Sequence, residues 1–351
     1  MDTPRSSRHA SLFADPELPV TTADTRVLAD FWVHDPFILA NESDRTYYLY
    51  TSSPDAPVVT VYRSVDLRNW VGPATVFTIP DGSWANRAES PWAPEVHEFE
   101  GRFYLFTTLH NSAHQLPAAS DGTSQLSARH PDGHEYTPTA RGTVIAVASS
   151  PLGLFELVDF ERPVAPPEFM TLDGTLYIDE SGEPWMVYAH EWVQLLDGTI
   201  EAIRLDAGLV RSVGSPIHLF RGSEATFLRE RAPSALSPVP YVTDGPQLRR
   251  LAGGGLLMLW ATYRRAGAAA EYVETMAISR EGGIEGPWEQ LDILVDGNAG
   301  HGMLFTTFDG VLMLVLHHGM GTPHVRAQLF EVVEDESAGL RVVADRSDLY
   351  A

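Results

Sequence analysis

The chain of 351 residues contains no cysteine. Disulfides, thiolate metal sites and cysteine nucleophiles are therefore excluded. Basic residues are scarce: 24 Lys and Arg stand against 47 Asp and Glu, a formal charge of −23. That balance argues against a nucleic-acid partner or an anionic membrane surface and reads as solvation. No apolar run approaches the ~18 residues of a membrane span. The first twenty residues, MDTPRSSRHASLFADPELPV, hold no apolar h-region; no signal peptide is expected, and a cytoplasmic location is. Helical periodicity is weak throughout.

What the chain does have is short β-rich, aromatic runs separated by Gly, Pro, Asp and Ser. Five runs resemble one another: TYYLYTS (46–52), RFYLFTT (102–108), EPWMVYAHEW (183–192), LLMLWATY (256–263) and VLMLVLHHG (311–319). Each follows a partner strand across a turn containing Gly or Asp, and each precedes a third strand. Judged from Asp35, Glu95, Asp173, Asp244 and His301, the unit recurs after 60, 78, 71 and 57 residues. Three-strand units recurring five times favour an all-β, five-bladed β-propeller over a sandwich. Residues 1–29 read as an extension packing on or closing the propeller. Residues 30–351 read as one domain, with blades near 30–75, 90–165, 170–210, 240–292 and 298–345.

In a propeller the innermost strand of each blade lines the central channel and opens on one face. Asp35 in HDP, Asp173 in LDG and Asp244 in TDGP then lie at nearly the same strand position and ring one mouth. A lone Asp before Gly or Pro is usually a turn residue. Three facing one channel are different: crowded carboxylates push their pKa values apart, so one holds a proton while another stays ionised. Glycoside hydrolysis needs such a pair.

HDPFIL, SPWAPEV, TLDGTLYIDESGEPWMVY, VTDGPQLRRLAGGGLLMLW and GHGMLFTTFDGVLMLVLHH resemble, blade by blade and in order, the motifs of glycoside hydrolase family 43, from about residue 30 to about 334. The resemblance implies an inverting glycosidase that releases a terminal pentose, L-arabinofuranose or D-xylose, from short plant-type oligosaccharides. It implies Asp35 as general base and Asp173 as the acid that tunes the proton donor. The family's donor is a Glu at the start of the fourth blade. Here that place holds Asp244, and a Glu-Ala pair, Glu224-Ala225, lies twenty residues earlier. Either acid is a candidate donor. Trp92 matches a tryptophan near the sugar; Glu95 stands where the family usually has Asp. His301 matches a channel histidine that often holds a cation, frequently calcium, through water. No cofactor is otherwise required.

His34, Glu191 and Trp192 complete the candidate substrate-binding residues, with His190 a contact or a loop anchor. The histidines of HDP, GHG and LHH lack the spacing of structural zinc sites. RSVDLRNW (63–70) reads as a structural turn, and ADPELP and GSPIHLF (214–220) read as connectors. The polar segment 112–142 reads as an insertion at the mouth that restricts access. An exo-acting galactosidase is a neighbouring alternative. A fructosidase-type propeller would carry Asn-Asp-Pro and Arg-Asp-Pro, which are absent. A non-catalytic carbohydrate-binding propeller is the rival from another class, supported by the Glu-to-Asp departure at 244.

Overall fold

The computed structural model describes residues 25–116, 137–195, 197–229, 241–266 and 269–350. They form five antiparallel four-stranded sheets, each built from consecutive strands. Blade 1 comprises β1 (Phe37–Asn41), β2 (Thr46–Ser52), β3 (Val58–Ser64) and β4 (Val71–Thr78). Blade 2 comprises β5 (Trp92–Phe99), β6 (Arg102–Gln115), β7 (Thr139–Ala148) and β8 (Glu156–Leu157). Blade 3 comprises β9 (Thr171–Ile178), β10 (Pro184–His190), β11 (Thr199–Leu205) and β12 (Ser212–Arg221). Blade 4 comprises β13 (Asp244–Arg250), β14 (Leu256–Ala266), β15 (Ala269–Ser279) and β16 (Trp288–Gln290). Blade 5 comprises β17 (Ala299–Thr306), β18 (Leu312–His318), β19 (Arg326–Asp335) and β20 (Gly339–Asp345).

The five-bladed propeller is thus present, with four strands per blade rather than three. The fourth strands of blades 2 and 4, Glu156–Leu157 and Trp288–Gln290, are too short to show the alternation that marks a half-buried strand. GSPIHLF is not a connector but most of β12, the outer strand of blade 3. The ends of the segment 112–142 are also strand, since β6 runs to Gln115 and β7 begins at Thr139. ADPELP lies outside the described residues. RSVDLRNW is the structural turn expected: Asp66 accepts the Arg68 and Asn69 amides, and the Trp70 indole donates to the Leu67 carbonyl.

The second strands carry dense aliphatic and aromatic runs because their two faces pack against neighbouring blades. Leu49, Leu105, Val187, Leu259 and Val315 on them are fully buried. Four apolar clusters fill the seams between blades. Blades 1 and 5 meet through side chains and a clamp, not through a shared strand. Tyr47 stacks on Phe308 at 4.2 Å, Val33 donates to the Val325 carbonyl, and Arg326 donates to the Ala29 carbonyl.

The sheet registers also fix the height of each blade at the mouth. Trp92 pairs with Thr108 and Asp244 with Ala261. Beyond those levels β6 continues to Gln115 and β14 to Ala266. At about 3.3 Å per residue, β6 extends roughly 23 Å and β14 roughly 16 Å beyond the level of the mouth. In blades 3 and 5 the second strands stop at His190 and His318, level with it.

Candidate active site

A backbone device repeated in every blade builds the mouth. Asp35, Ala93, Asp173, Gly245 and His301 all adopt left-handed φ, between 43° and 54°. In blades 2 to 5 this residue opens a bulge, two residues of the inner strand facing one of its partner. Such a bulge re-aims side chains. The residue after it is Pro36, Pro94, Gly174, Pro246 or Gly302. Its amide would point away from the ladder into the channel wall, where a lone donor is costly. Proline removes that donor. Where glycine keeps it, the preceding blade accepts it: Gly174 donates to Thr143 Oγ1 and Gly302 to Glu274 Oε2, both at 2.8 Å.

This device corrects one equivalence. The counterpart of Asp35 and Asp173 in blade 4 is Gly245, and Asp244 lies one residue earlier, level with His34, Trp92, Leu172 and Gly300. The mouth therefore has two rungs. His34, Trp92, Leu172 and Asp244 form the outer one, with Asp35, Asp173 and His301 beneath. The left-handed φ of Gly245, 48°, is shared by side-chain-bearing residues in the other blades, but glycine is needed here because a Cβ would stand 2.8 Å from the His301 ring.

Three imidazoles converge on Asp35. Its Oδ1 lies 2.9 Å from His34 Nδ1 and 3.2 Å from both His301 Nδ1 and His317 Nδ1. Burial alone would raise its pKa, but the charges of His301 and His34 and the bonds to His317 and His34 outweigh that. Asp35 is held ionised, well below the usual carboxylate range. Asp173 is in the reverse situation. Burial, the charge of Asp244 and a hydrogen bond with it, and the charge of Asp35 push its pKa well above normal. That direction favours the protonated form of Asp173, which is hydrogen-bonded to Asp244. His301 Nδ1 is 3.7 Å from Asp173 and 3.8 Å from Asp244. Because Asp35 and Asp244 both approach this nitrogen, at 3.2 Å and 3.8 Å, their nearest oxygens are at most about 7 Å apart.

Rings tie the two sides together. Tyr272 donates to Asp244 Oδ2 at 2.5 Å, stacks on His317 at 5.5 Å, and His317 stacks on His34 at 4.4 Å. Burial brings His317 down to about 4, so its ring is neutral. A cleft of about 470 Å³ opens above these groups, lined by Trp32, His34, Asp35, Trp92, Asp173 and Asp244 among others.

The remaining candidates fall elsewhere. Glu95 is buried in the channel wall, where it accepts from Thr175 at 2.7 Å and meets His97 at 2.8 Å. Glu191 is buried and ion-paired with Arg141. Trp192 opens the short helix α1 (Trp192–Leu195) and does not line the cleft. His190 is a loop anchor, bonded to Glu201 and Gln194. Glu224 accepts the Arg221 amide at 3.1 Å, closing its own turn, and does not line the cleft. The strand pattern put His317 at the mouth without a role, and Tyr272, Trp32, Arg141 and His110 were not legible as site residues. The last four sit in apolar or charged runs that any strand could carry. The sequence spacing of His34, His301 and His317 hides their convergence.

For the calcium that the resemblance implies, Asp173, Asp244 and His301 offer ligand atoms within 4.8 Å of one another. Two of these three donors are the oxygens calcium prefers, so the set fits a hard cation.

The family model of glycosyl hydrolases family 43 matches residues 25–337. The chain belongs to that family. Among its family 43 relatives, the extracellular exo-α-(1→5)-L-arabinofuranosidase of Cellvibrio japonicus is 25% identical over 310 residues, 81% of this chain and 78% of its own. The extracellular endo-α-(1→5)-L-arabinanase 1 of Bacillus subtilis is 24% identical over 199 residues, 53% and 52% of the two chains. The crystal structure of an endo-arabinase from Bacteroides thetaiotaomicron superposes with a TM-score of 0.72 at 31% identity, covering 89% of this chain and 98% of that one. The cytoplasmic expectation is corrected by the first two, both named extracellular. It rested on the lack of an apolar h-region within residues 1–24, which lie outside the described structure.

Proposed function

We propose that this family 43 glycoside hydrolase is an inverting, exo-acting enzyme that removes a terminal pentose, L-arabinofuranose before D-xylose, from short oligosaccharides. The observation that carries the reading is an ionised carboxylate, Asp35, facing a proton-bearing pair, Asp173 and Asp244, over one cleft. Asp35 takes a proton from water as the water attacks the anomeric carbon, and the pair protonates the leaving oxygen. Inverting enzymes keep acid and base about 6.5–9.5 Å apart and retaining ones about 5–5.5 Å. The upper limit of about 7 Å here admits both, so inversion rests on the family resemblance and is decided by the anomer formed first. Asp244, on the outer rung, delivers the proton, and Asp173 sets how tightly the pair holds it. Glu224 is occupied in its own turn. Exo action is supported by the name of the Cellvibrio japonicus relative. Arabinose is supported by the names of the relatives. A calcium ion on the Asp173 and Asp244 carboxylates would displace the proton that the pair must deliver, so a channel cation would be reached from His301 through water instead.

The test is turnover of nitrophenyl α-L-arabinofuranoside, nitrophenyl β-D-xyloside, α-1,5-linked arabino-oligosaccharides and linear arabinan, with the first-formed anomer followed by proton NMR. Release of monosaccharide with inverted configuration is expected. Internal cleavage of arabinan would overturn exo action, and binding without turnover would make this a carbohydrate-binding propeller. Asp244→Asn should lower kcat on oligosaccharides ~10²–10⁴-fold, and much less on a nitrophenol leaving group that needs no protonation. Glu224→Gln should stay within a few-fold; the reverse ranking would hand the donor role to Glu224.

A further inference from the structure

Trp92 is the most exposed tryptophan among the described residues, at 40%, and it stands on the outer rung of the mouth. An indole left this open beside a cleft offers a face to the C–H side of a sugar. What holds it comes from two blades. The Arg141 guanidinium lies over the ring, 4.6 Å from its centroid, and the His110 ring packs against it at 4.1 Å. Arg141 Nε donates to His110 Nδ1 at 3.0 Å, and its NH1 donates to Glu191, a buried carboxylate beside blade 3. Burial and the Arg141 charge bring His110 down to about 3, so its Nδ1 stays an acceptor. The Glu191 amide is itself fixed by the Met170 carbonyl.

One planar cation thus stacks on the indole, bonds an imidazole and pairs with a carboxylate at once. A lysine ammonium has neither the plane nor the fork to do all three. Arg141 also pairs across from His110 in the raised hairpin of blade 2, so it links that hairpin to blade 3. Removing it would free the indole and strand a buried carboxylate near Asp244.

We propose that Arg141 is a positioning residue that fixes the sugar-stacking face of Trp92 and thereby sets substrate affinity. The proposal rests on the cleft being a glycoside site. Loss of a stacked cation and a charged hydrogen bond corresponds to about a tenfold effect. Arg141→Lys should raise KM for arabinotriose about tenfold and leave kcat within about threefold, with Trp92→Ala raising KM at least as far. In the Trp92→Ala background, Arg141→Lys should change KM little further, because the two act as a unit. Additive effects in that cycle, an unchanged KM, or a fall in kcat with constant KM would each overturn the proposal. Glu191→Gln, which keeps an acceptor for Arg141, should raise KM less than Arg141→Lys, and thermal melts identify any variant that fails to fold. An inactive wild type on every glycoside would overturn the functional reading instead. In that case a tryptophan emission unchanged by Arg141→Lys would overturn the brace as well.

Discussion

The mouths of blades 1 and 3 carry the same residue on the same backbone. Asp35 and Asp173 have φ of 49° and 53°, and both are buried. Yet one is held ionised and the other holds a proton. The difference comes from the neighbours. Blade 5 turns His301 and His317 toward Asp35, which already has His34 beside it. Blade 4 turns the carboxylate of Asp244 toward Asp173. Residue type and strand position thus decide where a carboxyl stands, and the adjoining blade decides its charge. In the proposed reading, a base and the partner of an acid are thus made from one building block.

The largest effect should come from Asp35→Asn, which removes the ionised partner. It should lower kcat ~10²–10⁴-fold on oligosaccharide and nitrophenyl substrates alike, since attack by water is needed for both. Near-normal turnover would end the comparison at once. Next, the two acids should respond oppositely in stability. Asp173 has a raised pKa in the fold, so folding takes up a proton and stability falls as pH rises above its unfolded value near 4. An amide escapes that cost, so Asp173→Asn should melt above wild type at pH 7 and level with it at low pH. Asp35, with its pKa depressed, contributes stability that is present above its unfolded value and lost as pH falls through the depressed one. Asp35→Asn should therefore melt below wild type at pH 7. Shifts of equal sign would break the contrast. The smallest effect is a titration. His34 helps hold the Asp35 pKa down through its charge and hydrogen bond. His34→Ala should move the acid limb of the kcat–pH profile to higher pH, and an unmoved limb would assign the ionised state to His301 and His317 alone.

The blades were legible because each second strand is a dense aliphatic and aromatic run, a pattern that buried strands impose. Asp35, Asp173 and His301 were legible because they break such runs next to Pro or Gly. The outer strands were not, since strands such as Glu156–Leu157 and Trp288–Gln290 bury one residue each and leave no period to read. Glu95 and Asp244 show the limit at the site. Their offset of one or two residues from the bulge decides whether a carboxylate lines the cleft or is spent in the wall, and a bulge has no composition of its own. Arg141 was hidden for a different reason: its partners Trp92 and Glu191 are 49 and 50 residues away.

The left-handed bulge also separates what the enzyme does from what it is built of. Read in blade order, the five positions spell Asp, Ala, Asp, Gly, His. Each letter stands on the same left-handed φ, so the chemistry of the mouth follows from which side chain that φ carries. At Ala93 it carries only a methyl group.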